Sequence, residues 1–438
     1  MSVKQTAIRG TVARFKKNPF FAGPDYAFDI IEDAIIVVEN GKIAALDTAD
    51  KIVATSTLSA DTVVERYNDA VIIPGFIDSH VHAAQIDIAA AYGAKLLDWL
   101  NKYTFPGEMR LKDADYGRII ADKFVGECAR NGITCPVAFA TSYESFTDTL
   151  FAAAEAKNLR IIAGSVFMNR NVPDGLAVDC QENYAASQRL IDKWHGRGRA
   201  QYSVIDRFAI TSTHEEMEAV SSLYAVNKKR GVYFHTHLSE NIDEVAFAKS
   251  LFPERASYLD IYDHYGLVDE RSIFAHCIHL TEAEIKRLAE AKSILAHSPE
   301  SNLFLGSGFM DVKGYVAKGL KVNLASDFGA GNRVSMLRAM DAAYKTALVH
   351  NFSLHPAYAY YLATAGAAEN LGIGAETGNL QVGQDADIVV LDNKATEMVQ
   401  WRTAQCENAV EQLFIHMILG DDRSIAATYN GGFKAYAK

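Results

Sequence analysis

From Val71 to Asp327 the chain alternates two textures, short apolar runs rich in β-branched and aromatic residues and longer amphipathic stretches. The runs are "VIIPGFIDSH", "GITCPVAFA", "RIIAGSVFM", "DRFAITST", "GVYFHTHL", "SIFAHCIHL", "SILAHSP" and "KVNLASD". Unbroken apolar runs suit parallel strands that helices cover on both faces. Between them, "DYGRIIADKFVGECARN" and "TEAEIKRLAEAK" space their apolar residues as helices do. Eight such runs over roughly 300 residues are what a (β/α)8 barrel needs.

The two ends of the chain read differently. "TAIRGTVARF" and "AIIVVENGKIAAL" are strand-like, the second with a hairpin turn at Asn40-Gly41. "GNLQVGQDADIVVLD" and "IAATYNGGFKAYA" return to short strands near the C-terminus. The expected fold class is therefore α/β. A TIM-like (β/α)8 barrel spans residues 74–374, and a small β-sandwich domain combines 1–73 with 375–438.

Charge and cysteine content narrow the function. A net charge of −11 and the absence of any Lys/Arg run argue against nucleic acid as a partner. No run approaches the roughly 18–20 apolar residues of a membrane span. The five cysteines are scattered, with no CxxC spacing, so neither a disulfide framework nor a cysteine zinc site is expected. The opening "MSVKQTAIRGTV" is charged where a signal peptide would be apolar. These features point to a reducing, cytoplasmic enzyme.

The chemistry sits at the ends of the runs. His80 and His82 close the first, and residues two apart on a strand face the same side. Later runs end in His237 followed by Glu240, in His276, and in Asp327. At the C-terminal mouth of a barrel these groups converge. His80, His82 and His237 can give three nitrogens, and Asp327 a carboxylate, to one divalent metal, zinc first, with iron(II) or manganese as alternatives. Such a metal lowers the pKa of water toward neutrality. Asp327 can take that water's proton, Glu240 can donate one to a substrate atom, and His276 can orient the water. The sum is hydrolytic attack on an electrophilic sp² carbon.

On these motifs the chain resembles the amidohydrolase superfamily, and within it the guanine deaminase family. The superfamily parts are "PGFIDSHVH", "HTHLSE", "AHCIHL", "ASD" and the closing "GNLQVGQDADIVVLD". More specific are "HAAQ", "LLDWLNKYTFPGEMR", "SENIDEV" and "SNLFLGSG", with "YTFP" (Tyr103 to Pro106) the sharpest. The resemblance implies one zinc ion per chain and hydrolysis of guanine to xanthine and ammonia. It assigns the metal to His80, His82, His237 and Asp327, ring protonation to Glu240, and water deprotonation to Asp327. Ala83, Ala84, Gln85 and Arg207 would meet the purine. Phe105, Phe208 and Leu100 would supply flat apolar walls. A homodimer in the cytoplasm is implied by the same resemblance. Asp78 is expected to support the site from behind the histidines.

Three departures from the family pattern bear on the substrate. Asp206 stands where a Pro usually precedes Arg207, and could tilt or partly neutralise its guanidinium. His235 stands two before His237 in place of a neutral amide or small residue. "AHSPES" brings Glu300 toward the pocket. An 8-oxoguanine or pterin deaminase is the alternative they raise. A binuclear cyclic-amide hydrolase would need a carboxylated Lys on a middle strand, and "GSVFMNR" and "RFAITST" offer none. A non-catalytic scaffold would have lost a ligand or the Glu/Asp pair, and all are present.

Overall fold

The computed structural model describes residues 5–92, 96–331 and 333–438. Residues 1–4 of the N-terminal stretch, Asn332 after "ASDFGAG", and the side chains of Leu96 and Leu97 that open "LLDWLNKYTFPGEMR" lie outside the described residues.

The chain begins with β1 (Gln5–Phe15), β2 (Phe28–Glu39), β3 (Lys42–Thr48) and β4 (Val63–Pro74). Asn40 and Gly41 join β2 to β3 with φ of 49° and 80°, the left-handed pair that a tight hairpin needs. The barrel comes next as β5 (Phe76–His82), β6 (Ile133–Phe139), β7 (Ile161–Gly164), the short β8 (Val166–Phe167) and β9 (Ala200–Asp206). It continues with β10 (Tyr233–Leu238), β11 (Ser272–His276), β12 (Ile294–His297) and β13 (Lys321–Leu324). β14 (Ile388–Asp392), β15 (Ile425–Asn430) and β16 (Phe433–Ala437) end the chain.

Eight parallel strands run in the order β5-β6-β7-β9-β10-β11-β12-β13, with β8 beside β9. The last gap is bridged at the mouth. Asp327 N donates to His80 O at 2.9 Å, and His82 N to Phe328 O at 3.1 Å. Ser326 gives its backbone N–H (2.9 Å) and its hydroxyl to the buried carboxylate of Asp78. Asp78 thus ties the first strand to the segment that carries Asp327. The fold class is the one its sequence predicts, and the expected helices are present as Ala114–Arg130 and Glu282–Ala291.

The second sheet has the order β16-β15-β14-β4-β1-β2-β3 and uses both chain ends. It curls over a core that includes Ile8, Ile36, Ile72, Ile388 and Tyr429. Ile43 N meets Gln384 O at 2.9 Å and Ala386 N meets Gly41 O at 2.8 Å, which closes the sandwich. Ion pairs clamp it to the bottom of the barrel. Arg160, just before β7, reaches Glu376 (2.7 Å) and Asp385 (2.8 Å), and Arg199, just before β9, reaches Asp385 (3.3 Å) and Asp387.

Two strand readings are corrected. "VIIPGFIDSH" is not one strand: Val71–Pro74 pair with β14 in the sandwich, and the barrel begins at Phe76. A Cβ on the intervening Gly75 would lie 2.2 Å from Thr134 Oγ1, so the crossing point has no room for a side chain. "DRFAITST" is not the fourth barrel strand either. β9 is "AQYSVID" just upstream, and Ala209–Thr211 form a 3-10 turn. The helices Glu397–Thr403 and Ala409–Leu419 interrupt the short strands expected near the C-terminus. Among the described residues no helix is long and apolar enough to cross a membrane.

Candidate active site and metal centre

Five chemistry-bearing side chains come off four strand ends at one mouth of the barrel. β5 delivers His80 and His82, β10 His237, β11 His276, and the turn after β13 Asp327. His276, Asp327 and Ser239 hold φ values of 71°, 47° and 51°. Non-glycine residues in the left-handed region are uncommon and cluster where backbone must turn sharply at a site.

One nitrogen each from His80, His237 and His276 and an oxygen of Asp327 lie within 4.8 Å of one another. His82 joins them, with Nε2 3.2 Å from Asp327 Oδ1 and 3.3 Å from His237 Nε2. His80 Nε2, His276 Nε2 and Asp327 Oδ1 are buried with no hydrogen-bond partner among the described residues. Buried polar atoms left so are rare, and three aimed at one point suit a shared cation. The other ring nitrogens are occupied. His237 Nδ1 donates to Arg207 O at 2.6 Å, His80 Nδ1 faces His235 Nε2 at 3.0 Å, and Asn302 Nδ2 lies 3.0 Å from His276 Nδ1.

Electrostatics prepare the donors. Burial pushes the pKa of His82 down to about 4, that of His276 to about 3, and that of His237 well below the usual imidazole value. The imidazoles are therefore neutral, the form that ligates metals. Burial alone would raise Asp327, but the His80 and His82 imidazoles beside it outweigh that and hold the carboxyl well below its ordinary range. Glu240 goes the other way. Burial, then the charges of Glu244 and Asp327, raise it well above the usual carboxyl value. The two carboxyls are thus pushed in opposite directions, the division that acid–base catalysis uses.

The turn that aims Glu240 is locally encoded in "SENIDEV". Asn241 caps the helix Ile242–Leu251, and Glu244 reaches back to accept from Glu240 N (2.8 Å) and Asn241 N (3.0 Å). Tyr258 OH holds the other oxygen of Glu244 at 2.9 Å. Ser307 donates to Glu240 Oε1 at 3.0 Å, while Oε2 stands 3.6 Å from His276 Nε2.

These groups open on one cavity at the barrel mouth. Its polar wall holds Gln85 and Arg207 besides His82, His237, Glu240, His276 and Asp327, and its apolar wall holds Trp99, Leu100, Phe208 and Ala330. Of the expected purine contacts, Gln85, Arg207, Phe208 and Leu100 are therefore brought together. Ala83 and Ala84 are buried in the turn after His82 and are not among the described residues lining the cavity. Phe105 stacks its ring 5.3 Å from the Arg207 guanidinium and faces a neighbouring hollow instead.

A family model described as the amidohydrolase family matches residues 71–431. The chain belongs to the amidohydrolase family. It is 40% identical to the curated guanine deaminase of Escherichia coli (strain K12), over 99% of this chain and 98% of that protein. Among solved structures, the E. coli guanine deaminase superposes with a TM-score of 0.95 at 39% identity, covering 99% and 100% of the two chains. A guanine deaminase from C. acetobutylicum, solved with guanine bound in its active site, gives 0.87 at 28% identity over 99% and 100%.

Within this amidohydrolase frame the three departures fall outside the cavity wall. Asp206 is turned away from Arg207, accepting from the Ser212 hydroxyl and from Thr236 Oγ1 at 3.5 Å. The Arg207 partner is Glu108, at 2.9 Å. His235 lies behind His80, and Glu300 is not among the described residues that line the cavity. Sequence reasoning did not single out Glu108, Trp99, Ala330, Asn302 or Ser307. Trp99 and Glu108 stand in "LLDWLNKYTFPGEMR", and Asn302 and Ser307 in "SNLFLGSG", segments that carried the resemblance without singling these residues out.

Proposed function

We propose that the chain hydrolyses guanine to xanthine and ammonia, consuming one water, with one zinc ion per chain. The observation that carries the reading is convergence: a His/Asp donor set, a buried glutamic acid and an amide–guanidinium pair share one cavity. The guanine deaminases that match along the whole chain support it.

His80, His82, His237 and Asp327 would hold a divalent ion, whose chemistry would be to bring the pKa of water toward neutrality. Gln85 and Arg207 hold the polar edge of the purine, and Phe208 and Leu100 flank its faces. Glu240 gives its proton to the ring nitrogen beside the amino-bearing carbon. Asp327, ionised, takes the proton of the attacking water. Asp327 then returns the proton it took to the departing amine, which leaves as ammonia, and Glu240 takes up the proton of the new hydroxyl as the carbonyl forms, so both acids end as they began. His276, fixed through Asn302, orients the water. Because Asp206, His235 and Glu300 stand off the cavity wall, guanine is favoured over 8-oxoguanine or a pterin. A homodimer in the cytoplasm accompanies this reading from the family resemblance, and gel filtration and cell fractionation test it.

Glu240→Gln is the discriminating variant. It removes the proton donor while keeping size, so kcat on guanine falls about 10²- to 10⁴-fold with zinc per chain unchanged. Activity within tenfold of wild type would remove Glu240 as the acid.

A further inference from the structure

Glu108 is buried in the short helix Phe105–Met109, and the chemistry above leaves it unused. A single oxygen, Oε1, accepts from two residues far apart in sequence, Arg207 Nη1 at 2.9 Å and Gln85 Nε2 at 3.0 Å. Glu108 Oε2 and Gln85 Oε1 are both buried with no hydrogen-bond partner among the described residues.

Donor and acceptor chemistry fixes the orientation of the Gln85 amide. A carboxylate paired with a guanidinium can only accept, so Gln85 must turn its NH2 toward Glu108. Its carbonyl oxygen is then fixed on the other branch, over Gly329, where a Cβ would stand only 2.2 Å away. Gly329 precedes Ala330, which lines the cavity with Gln85. An unpartnered buried acceptor is costly until something donates to it. Arg207 spends one N–H on Glu108 and keeps further donors in its planar fork, which Glu108 and the Phe105 ring hold in place. The cavity therefore offers an acceptor from Gln85 and donors from Arg207, with the guanidinium charge matched by Glu108.

We propose that Glu108 is a specificity-determining positioning residue: by locking the Gln85 amide and the Arg207 fork, it makes the site select heterocycles with a ring N–H beside a carbonyl. This rests on the deaminase reading above. Guanine carries that edge. 2-Aminopurine keeps the reacting amino group but has neither the N1 hydrogen nor the C6 carbonyl. A site built to hydrogen-bond such groups rejects analogues lacking them strongly, because its own buried groups stay unpaired.

The test compares kcat/KM for guanine and 2-aminopurine in wild type and in Glu108→Gln, with zinc content measured on the same samples. Where 2-aminopurine turns over too slowly, its inhibition constant replaces kcat/KM. The amide at position 108 can donate as well as accept, so Gln85 is free to flip. The guanine preference should fall about tenfold or more, mainly through KM, with zinc retained. Glu108→Asp keeps an acceptor-only partner and should keep the preference even if both rates drop. Gln85→Leu removes the acceptor without touching Glu108 and should collapse the same ratio, which covers a Glu108→Gln protein that fails to fold. A preference unchanged in Glu108→Gln, or in Gln85→Leu, overturns the proposal. If wild type releases no ammonia from guanine, the deaminase reading itself fails; if it does and the ratio does not move, only the Glu108 inference fails.

Discussion

His235→Leu should weaken zinc binding without dismantling the site. His235 Nε2 stands 3.0 Å from His80 Nδ1, and its ring packs against Phe139 with centroids 4.8 Å apart. Burial, then the neighbouring imidazoles of His80 and His82, push its pKa well below the usual value, so it is neutral and can accept. By accepting from His80 Nδ1–H it keeps the lone pair of His80 on Nε2, the atom aimed at Asp327. Leucine fills much of the space but leaves His80 N–H buried and unpaired, a cost of about 1–3 kcal/mol. Loss of a partner behind a metal-ligating histidine typically lowers metal affinity about 10- to 100-fold. At 1.4 kcal/mol per tenfold the second range is about 1.4–2.8 kcal/mol, so the two ranges agree. The assay is zinc affinity by competition with a chromogenic chelator, read beside unfolding midpoints of the zinc-loaded proteins. His235→Gln, which restores a carbonyl acceptor, should recover most of the affinity. A His235→Leu protein that binds zinc within twofold of wild type would refute the argument, since a group that only fills space cannot set a tautomer.

Asp387 accepts from Arg199, Thr377 Oγ1 (2.6 Å) and Gly431 N (2.8 Å) where the sandwich meets the barrel. Asp387→Ala leaves Arg199 with Asp385 but unpairs Thr377 Oγ1 and Gly431 N, so the urea midpoint should drop by the equivalent of about 1–3 kcal/mol. A second test concerns pH. Burial, then the charge of Asp206, raise the Glu216 carboxyl from its ordinary 4.5 to about 9. A carboxyl raised in the folded state contributes stability that is complete below its unfolded pKa and lost as pH rises through the folded one. Wild type and Glu216→Gln should be alike near pH 4.5. Between there and pH 9 the wild type should lose stability relative to the variant by up to about 1.4 kcal/mol per pH unit. Parallel stability profiles would show that Glu216 keeps an ordinary pKa.

The barrel was readable because each of its strands is buried on both faces and so spells a short apolar run. Where it was misread, two patterns overlapped. "RFAITST" mixes apolar and β-branched residues as a strand does, yet it forms the loop after β9, pinned by Arg207 N to Phe167 O at 3.1 Å. "VIIP" and "GFIDSH" abut with no polar break, so only the missing space at Gly75 tells that the chain passes from sandwich to barrel. The late helix "AVEQLFIHMIL" is apolar nearly all round, and periodicity cannot separate such a segment from strand.

The site divides along the same line. His80, His82, His237, His276 and Asp327 were legible because strand geometry aims each of them at the mouth, and Glu240 because "SENIDEV" encodes its own turn. Residues that hold these groups are set by tertiary contact, and the motif segments that contain some of them do not say which group each one meets. Asp206, adjacent in sequence to Arg207, was expected to govern its charge, but successive residues on a strand point to opposite faces, and Asp206 turns to Ser212 and Thr236. The carboxylate that does meet Arg207 comes from Glu108, 99 residues earlier, and the same oxygen meets Gln85 across 23 residues. Adjacency along the chain is therefore a poor guide to electrostatic pairing at a barrel mouth, where loops from several strands meet. His235 obeys the opposite logic. Two residues from His237, it does share that face, but it lies one step deeper in the barrel, so it reaches the back of His80 rather than the cavity.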